Sequence, residues 1–538
     1  MKKLFAIILA VVMVLSLVAC AAPQDDAKAP VQTEPSNAQE APEAEEPGVD
    51  EYAEKSGGVL HIAINSDANT MLTTEMRAVN EHKYAMIIYE GLFVVDGEGK
   101  PAPLLCESYE ENLDELTYTL KLREGVKFHD GSDFNAEVCA WNLELYKAEG
   151  IQAGAFLKNL ESVEVVDEYT VKLHLTQWDS LIPYSLMRQA GWMQSKVAYE
   201  EKGADYIREN PVGTGPFKFV SWERGASMTF ERFDEYWQGK PYLDGVVLDI
   251  YNTDLVAQAA LESGDVQVIW PADYGIADYL ADAGYVSTNS TVPEFNYSIC
   301  FNCMDESSPV SDLRVRQAIA YAVDRDVVYK GVFDGHGVAV SQYGVPNGAF
   351  YNNDFEGYAY NPEKAKELLA EAGYPNGMEL TIACQTIQTR VDTCAILKEQ
   401  LADVGITLNI NTMETADFSS AINGWTDDML LHTNLMANGP ASQINANFRQ
   451  NLTAALGITS LLHPDDLEAA IAAAVAADGS VSDEMWQDVQ EMIFGDYCML
   501  KSLITNYTVT VVSPKLHDAN ISIDGAATST LWKAWLEK

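Results

Sequence analysis

Two stretches of the chain follow one plan, and that plan restricts the fold more than any other feature. In "NPEKAKELLAEAGYPNGMELTI", Asn361 to Ile382, a capping Asn361 and Pro362 open a helix, Gly373 closes it, and a strand follows. In "AILKEQLADVGITLNI", Ala395 to Ile410, helix, glycine and strand recur in the same order. Helices joined to strands by so few residues place the chain in the α/β class. Two further strands show by alternation. One is "GGVLHIAIN", Gly57 to Asn65. In the other, "TYTLKLREG", Tyr118, Leu120 and Leu122 share one face and Thr119, Lys121 and Arg123 the other. Near the end, "DDLEAAIAAAVAA" and "DEMWQDVQEMIFGDY" read as helices.

A catalytic reading is suggested only by "FHDGS", where His129 stands beside Asp130 and Gly131. The triplet falls between the alternating strand and "FNAEVCAWNLELY", for which Asn135 is a natural N-cap and Phe134 is placed for a hydrophobic staple. Asp and Gly there supply turn chemistry, so His129 is expected to be structural. No G-x-S-x-G, H-E-x-x-H or P-loop pattern occurs. Asp427 and Asp428 are adjacent, so on a strand they point to opposite faces and do not flank a substrate. The chain is expected not to be an enzyme.

Length and charge bound the remaining functions. With 538 residues, 47% of them hydrophobic, the chain has room for two or three domains with large cores. A net charge of −46 excludes phosphate-backbone binding and disfavours docking on anionic lipid. The N-terminus reads as an export signal: Lys2 and Lys3, then an apolar run from Leu4 to Val18, ending in "LVAC". The last four residues resemble a bacterial lipobox, with Cys20 as the lipidated residue, which would anchor the protein without spanning the membrane. Residues 21–56, rich in Pro, Ala, Glu and Gln, are expected to form a disordered tether reaching roughly 30–36 Å. Seven cysteines follow Cys20. "CFNC" (Cys300, Cys303) lacks the second pair or His cluster of a zinc site. The cysteines are expected to be small buried hydrophobes, and free thiols on an exported chain point to an anaerobic setting. No metal and no cofactor is expected.

Five segments then carry a resemblance. They are "YEGLFVVDGEGKPAPLLCESYE", "YTLKLREGVKFHDGSDFNAE", "PVGTGPFKFVSWERGASMTFERFDEYWQGKPYLDGVVLDI", "DLRVRQAIAYAVDRDVV" and "YNPEKAKELLAEAGYPNG". Together and in this order they resemble family 5 of the bacterial extracellular solute-binding proteins, the peptide- and nickel-binding partners of ABC importers. The resemblance implies an α/β, two-lobed periplasmic-binding-protein-like clamp (type II) with an extra domain inserted in lobe I. Lobe I would comprise residues 57–89, 195–297 and 499–538, the inserted domain 90–194, and lobe II 298–498, after a signal peptide at 1–20. The implied function is capture of di- or oligopeptides at the outer membrane face for an ABC permease, by a monomer anchored only through lipid. A nickel-chelate or oligosaccharide carrier and a sensory binding protein are the alternatives.

The resemblance also implies ligand contacts. A peptide ammonium is met in peptide-binding members by an Asp three residues after a Trp, which Trp425 and Asp428 match in "GWTDDMLLHTN". The usual acidic Gly-Asp-Pro-like continuation is replaced by "MLLHTNLMANGP", which leaves the substrate class open. Arg390, with Gln388 beside it in "CQTIQTR", occupies the place of a carboxylate-binding arginine. Arg77 is a second candidate cleft charge. Asn65, Asp67 and Asn302 are expected as polar contacts, although "TML" at Thr70 to Leu72 replaces the family's Leu-Asp-Pro. His432 is a candidate pocket residue, and Trp270 and Tyr343 are candidate aromatic lining.

Overall fold

The alternation in "GGVLHIAIN" becomes the strand Val59–Ile64, paired in parallel with Gly245–Ile250 on one side and Val268–Ile269 on the other. These are inner strands of a seven-stranded sheet in the order Val286–Asn289, Val509–Val512, Val268–Ile269, Val59–Ile64, Gly245–Ile250, Ser227–Arg232, Phe217–Glu223. This computed structural model describes residues 49–76, 78–96, 99–290, 293–436, 439–448, 460–519, 521 and 528–538, all within one unit, Glu46–Lys538. The leader, Cys20 and Arg77 lie outside the described residues. So does most of the expected tether, but its last part is a helix, Val49–Lys55. Tyr52 stacks on Tyr242 at 5.5 Å and donates its hydroxyl to Pro241 O. That aromatic contact starts the folded body earlier than residue 57.

A second sheet of four antiparallel strands, Cys106–Asn112, Thr117–Leu122, Thr170–Leu175 and Leu160–Asp167, forms the inserted domain. Tyr118, Leu120 and Leu122 are its buried face, covered by the helix Ala136–Glu149, whose Asn135 cap accepts from Val138 N. The third sheet, lobe II, has the order Gly337–Ala339, Leu500–Asn506, Phe295–Phe301, Met429–Leu435, Met378–Gln385, Ile406–Met413. The expected limit at 297/298 cuts through one strand of this sheet, and the one at 498/499 leaves another in lobe I. Lobe II takes in Phe295–Phe301 and Leu500–Asn506, and the chain returns to the lobe I sheet only at Val509. "LITNYTVTV" carries no glycine or proline at that crossing, so the sequence gives no punctuation to read.

The motifs of the resemblance interlock where lobe I meets the inserted domain. Gly215 N donates to Ile88 O at 2.8 Å, at the end of the helix Ala78–Ile88. A Cβ on Gly213 would lie 2.1 Å from Ile88 O, and one on Gly215 2.6 Å from Ile87 O, so "GTG" is required by close backbone approach. Between them, Thr214 Oγ1 donates to Glu90, which also accepts from Tyr236 and Trp237. Burial lifts the Glu90 carboxyl to about 7 despite these three donors.

His129 completes the joint. Its Nδ1 accepts from Gly213 N at 3.3 Å, which leaves the proton on Nε2 to be donated to Gly215 O at 2.9 Å. Asp130 accepts from Ser195 Oγ. Both ring nitrogens are committed to backbone, and burial pushes the imidazole down to about 4. The triplet is a bolt between domains.

The inserted domain also meets lobe II: Ser180 N donates to Val475 O and Trp178 Nε1 to Ala477 O. Leu181 and Ile182 belong to the same apolar cluster as Phe350 and Ile444.

Candidate ligand-binding site

Strand direction decides which end of lobe II can hold a ligand. Met378–Gln385 runs parallel to Ile406–Met413 and Met429–Leu435. Phe295–Phe301 runs against Met429–Leu435, with Phe295 opposite Leu435 and Phe301 opposite Met429. The carboxyl ends of the three parallel strands thus lie at the end where Phe295 enters from lobe I. Ligands of such sheets bind outside the carboxyl ends of the strands. In lobe I the matching position is Asn65, immediately after the strand Val59–Ile64.

Arg390 is brought to this end. It lies in the first turn of the helix Gln388–Ala402, which begins just after the strand Met378–Gln385. Its Nη2 donates to Thr433 Oγ1 at 2.6 Å, and the Tyr297 hydroxyl is a second hydrogen-bond partner. Tyr297 and Thr433 are directly opposed across the antiparallel pair. Arg390 has no carboxylate partner among the described residues, and its Nε is buried without a hydrogen bond. A guanidinium keeps its proton even where burial lowers its pKa, so a positive charge is presented against neutral hydroxyls. His432 lies beside it on the opposite strand face. Burial first, and the Arg390 charge second, push its imidazole down to about 4, so it stays neutral. A hydrogen bond with Asn434 opposes that shift.

On lobe I, exposed Asn65 accepts from Lys83 Nζ at 2.8 Å. Lys83, on the helix Ala78–Ile88, is only 4% exposed. Burial lowers its ammonium to about 8, and the carboxylate of Glu294, at the crossing between lobes, pulls the other way. Tyr297, Thr433 and Lys83 were not anticipated. The pairing of Tyr297 with Thr433 joins positions more than a hundred residues apart, a register that no local pattern encodes.

Several anticipated contacts fall elsewhere. Asp428 stands at the opposite end of its strand, roughly 17 Å from Thr433 at about 3.3 Å per residue. Its Oδ1 accepts from Ser308 Oγ, and its Oδ2 from Thr381 N and Oγ1. That geometry does not fit an ammonium anchor: the carboxylate clamps strand ends. Asn302 lies at the same far end, bonded to Asp427 O, Asp428 O and Ser460. Trp425 ends the helix Thr415–Gly424 there, at φ +36°. Asp67 is consumed by Ala68 N, Trp222 Nε1 and Gly225 N, which hold a hairpin turn. Gln388 is exposed and donates to Asp392 within its own helix. Trp270 and Tyr343 are core, 1% and 0% exposed. Asp428→Asn should therefore cost stability, about 1–3 kcal/mol by chemical denaturation. It should leave affinities for free-amino and N-acetylated peptides changed by the same factor; a selective loss of the free-amino peptide would restore Asp428 to the site.

Among the described residues no group of three or more His, Cys, Asp or Glu is placed to hold a metal ion. No helix among them is long and apolar enough to cross a membrane.

Comparison with known proteins identifies the family and the fold. The model for bacterial extracellular solute-binding proteins, family 5 (middle region), matches residues 100–454. The glutathione-binding protein GsiB of Escherichia coli O1:K1 / APEC is 32% identical over 367 residues, 68% of this chain and 71% of that protein. Two solved structures share the fold. The ABC transporter substrate-binding protein CtaP of Listeria monocytogenes matches with a TM-score of 0.80 at 22% identity, over 90% of this chain and 100% of that one. DppA of Helicobacter pylori, a periplasmic binding protein in complex with the peptide STSA, matches with a TM-score of 0.76 at 23% identity, over 91% and 100%. Fold, motif order and sequence identity agree: the chain belongs to the bacterial extracellular solute-binding proteins, family 5.

Proposed function

We propose that this protein captures short peptides outside the cell and delivers them to an ABC permease, with Arg390 holding a ligand carboxylate. The observation that carries this reading is the guanidinium at the carboxyl ends of the lobe II strands, backed by Tyr297 and Thr433 and without a carboxylate partner among the described residues. A half-buried arginine whose Nε is shut away from water is costly unless an anion completes it. The relatives point the same way, one named for glutathione and one bound to a tetrapeptide. An oligosaccharide carrier would stack sugar rings on tryptophan, yet Trp270 is core and Trp425 stands at the far end of the sheet.

The remainder of the reading concerns attachment. Lipidation of Cys20 would hold the folded body at the outer membrane face, and closure of the lobes over ligand would present the permease with a changed surface.

Calorimetric titration with peptides of two to five residues and their C-terminal amides tests the reading. Free-acid peptides should bind and the matching amides should bind about tenfold or more weakly, the cost of an unpaired buried charge. Equal binding of acid and amide would remove the carboxylate anchor.

A further inference from the structure

Seven cysteine thiols are free and buried among the described residues. Five of them, Cys106, Cys139, Cys300, Cys303 and Cys498, are pushed upward by burial, which keeps them protonated and inert. Cys384 and Cys394 differ in their surroundings. Cys384 is the second-last residue of the strand Met378–Gln385, and Cys394 lies in the second turn of the helix Gln388–Ala402. The fold of strand onto helix places the two sulfurs in hydrogen-bond contact, with both residues 0% exposed. Arg390 lies between them in sequence, close enough for its charge to act on Cys384. The Cys394 thiol donates to Cys384, and that bond first, then the guanidinium, draw the Cys384 thiol down. The two sulfurs thus lie where one can attack a disulfide and the other resolve the mixed disulfide.

We propose that Cys384 and Cys394 are a dithiol that closes reversibly to a disulfide, stapling the segment that carries Arg390, with a low-molecular-weight disulfide as oxidant. The Cys384 thiolate attacks one sulfur of the oxidant, forming a mixed disulfide and releasing one thiolate. That thiolate takes the proton of Cys394, whose sulfur then attacks Cys384 Sγ and releases the second thiolate. The proton originally on Cys384 ends on this second leaving group. Two protein thiols are oxidised and one small disulfide is reduced to two thiols. An excess of small thiol runs the steps backwards. A bond of about 2.0 Å draws the start of the helix toward its strand, and Arg390 moves with it. Because both sulfurs are buried, exchange requires that first turn to lift. Carboxylate held by Arg390 should slow it; only this last point rests on the function proposed above.

The test is thiol mapping of the full chain, equilibrated with oxidised and reduced glutathione in varied ratio, then denatured and alkylated. In the oxidised arm the number of alkylated thiols should fall by two, and protease digestion should give one cross-linked peptide joining Cys384 to Cys394. Excess reduced glutathione should restore both. Cys384→Ser and Cys394→Ser should each abolish the cross-link, while an unchanged thermal midpoint shows that the variant is folded. Full alkylation at every ratio, or a cross-link joining other cysteines, would overturn the proposal. Neither result depends on what the cleft binds.

Discussion

Arg390→Ala is expected to lower affinity for a free-acid peptide by about 30- to 1000-fold. Truncating one partner of a buried, hydrogen-bonded charge pair costs about 2–5 kcal/mol, and each 1.4 kcal/mol is about tenfold. The peptide amide should lose far less, because it never completed the guanidinium. The cost should lie in binding and not in folding. Arg390 is partly desolvated, bonded to hydroxyls that can turn to other partners, and without an ion pair among the described residues. Its removal should therefore leave the thermal midpoint of the empty protein within a few degrees. Arg390→Lys should not rescue binding, because an ammonium cannot reproduce a planar two-point contact with a carboxylate. Equal losses for acid and amide, measured by calorimetry, would show that Arg390 shapes the site without touching the carboxylate.

The second large effect is acid destabilisation. His82, His129 and His432 are each held neutral well below the ordinary value of 6.5, in each case mainly by burial, and for His82 and His432 also by a neighbouring arginine. Above pH 6.5 folded and unfolded chains bind the same number of imidazole protons. Below it the unfolded chain takes up protons that the folded one refuses, so stability falls as pH falls toward 4. Each group contributes at most about 1.4 kcal/mol per pH unit. Glu90 acts in the opposite sense. Raised to about 7 by burial, it takes up its proton in the folded state first and gains stability between pH 7 and 4.5. The balance is a loss of about 2–3 kcal/mol per pH unit between pH 6.5 and 4.5. His129→Gln keeps a donor and an acceptor for Gly215 and Gly213 but cannot ionise, so its slope should be shallower by about 1.4 kcal/mol per unit. Relief of the general negative charge is common to both proteins and cancels in the difference. Denaturant titrations at pH 6.5, 5.5 and 4.5 check this, and parallel slopes would contradict it.

Legibility followed the range of the interactions. The caps at Asn135 and Asn361 and the strands at Val59–Ile64 and Thr117–Leu122 could be read because each is set by neighbours within a few residues. The His129 bend was readable as a turn, though its partners, Gly213 and Gly215, are more than eighty residues away. The expected domain limits do not coincide with sheet membership at Phe295–Phe301 and Leu500–Asn506, where no turn residues mark the passage. Trp425 and Asp428 lie at the other end of the strand from Thr433, which spacing along a strand cannot reveal. Direction is set by pairing with Phe295–Phe301 and Met378–Gln385, which is long-range. The place of Arg390 was legible because a loop that follows a parallel strand must emerge at that strand's carboxyl end. Tyr297 and Thr433, which orient it, could be found only once the register was known.

A cleft that takes peptides should leave the cell with some of them inside. Native mass spectrometry of the protein, purified without unfolding, weighs whatever it carried out of the cell. The expected result is a set of added masses that fragment as peptides with free C-terminal carboxyls. A sugar or a metal chelate as the only added mass would keep the clamp and contradict the assignment of its cargo.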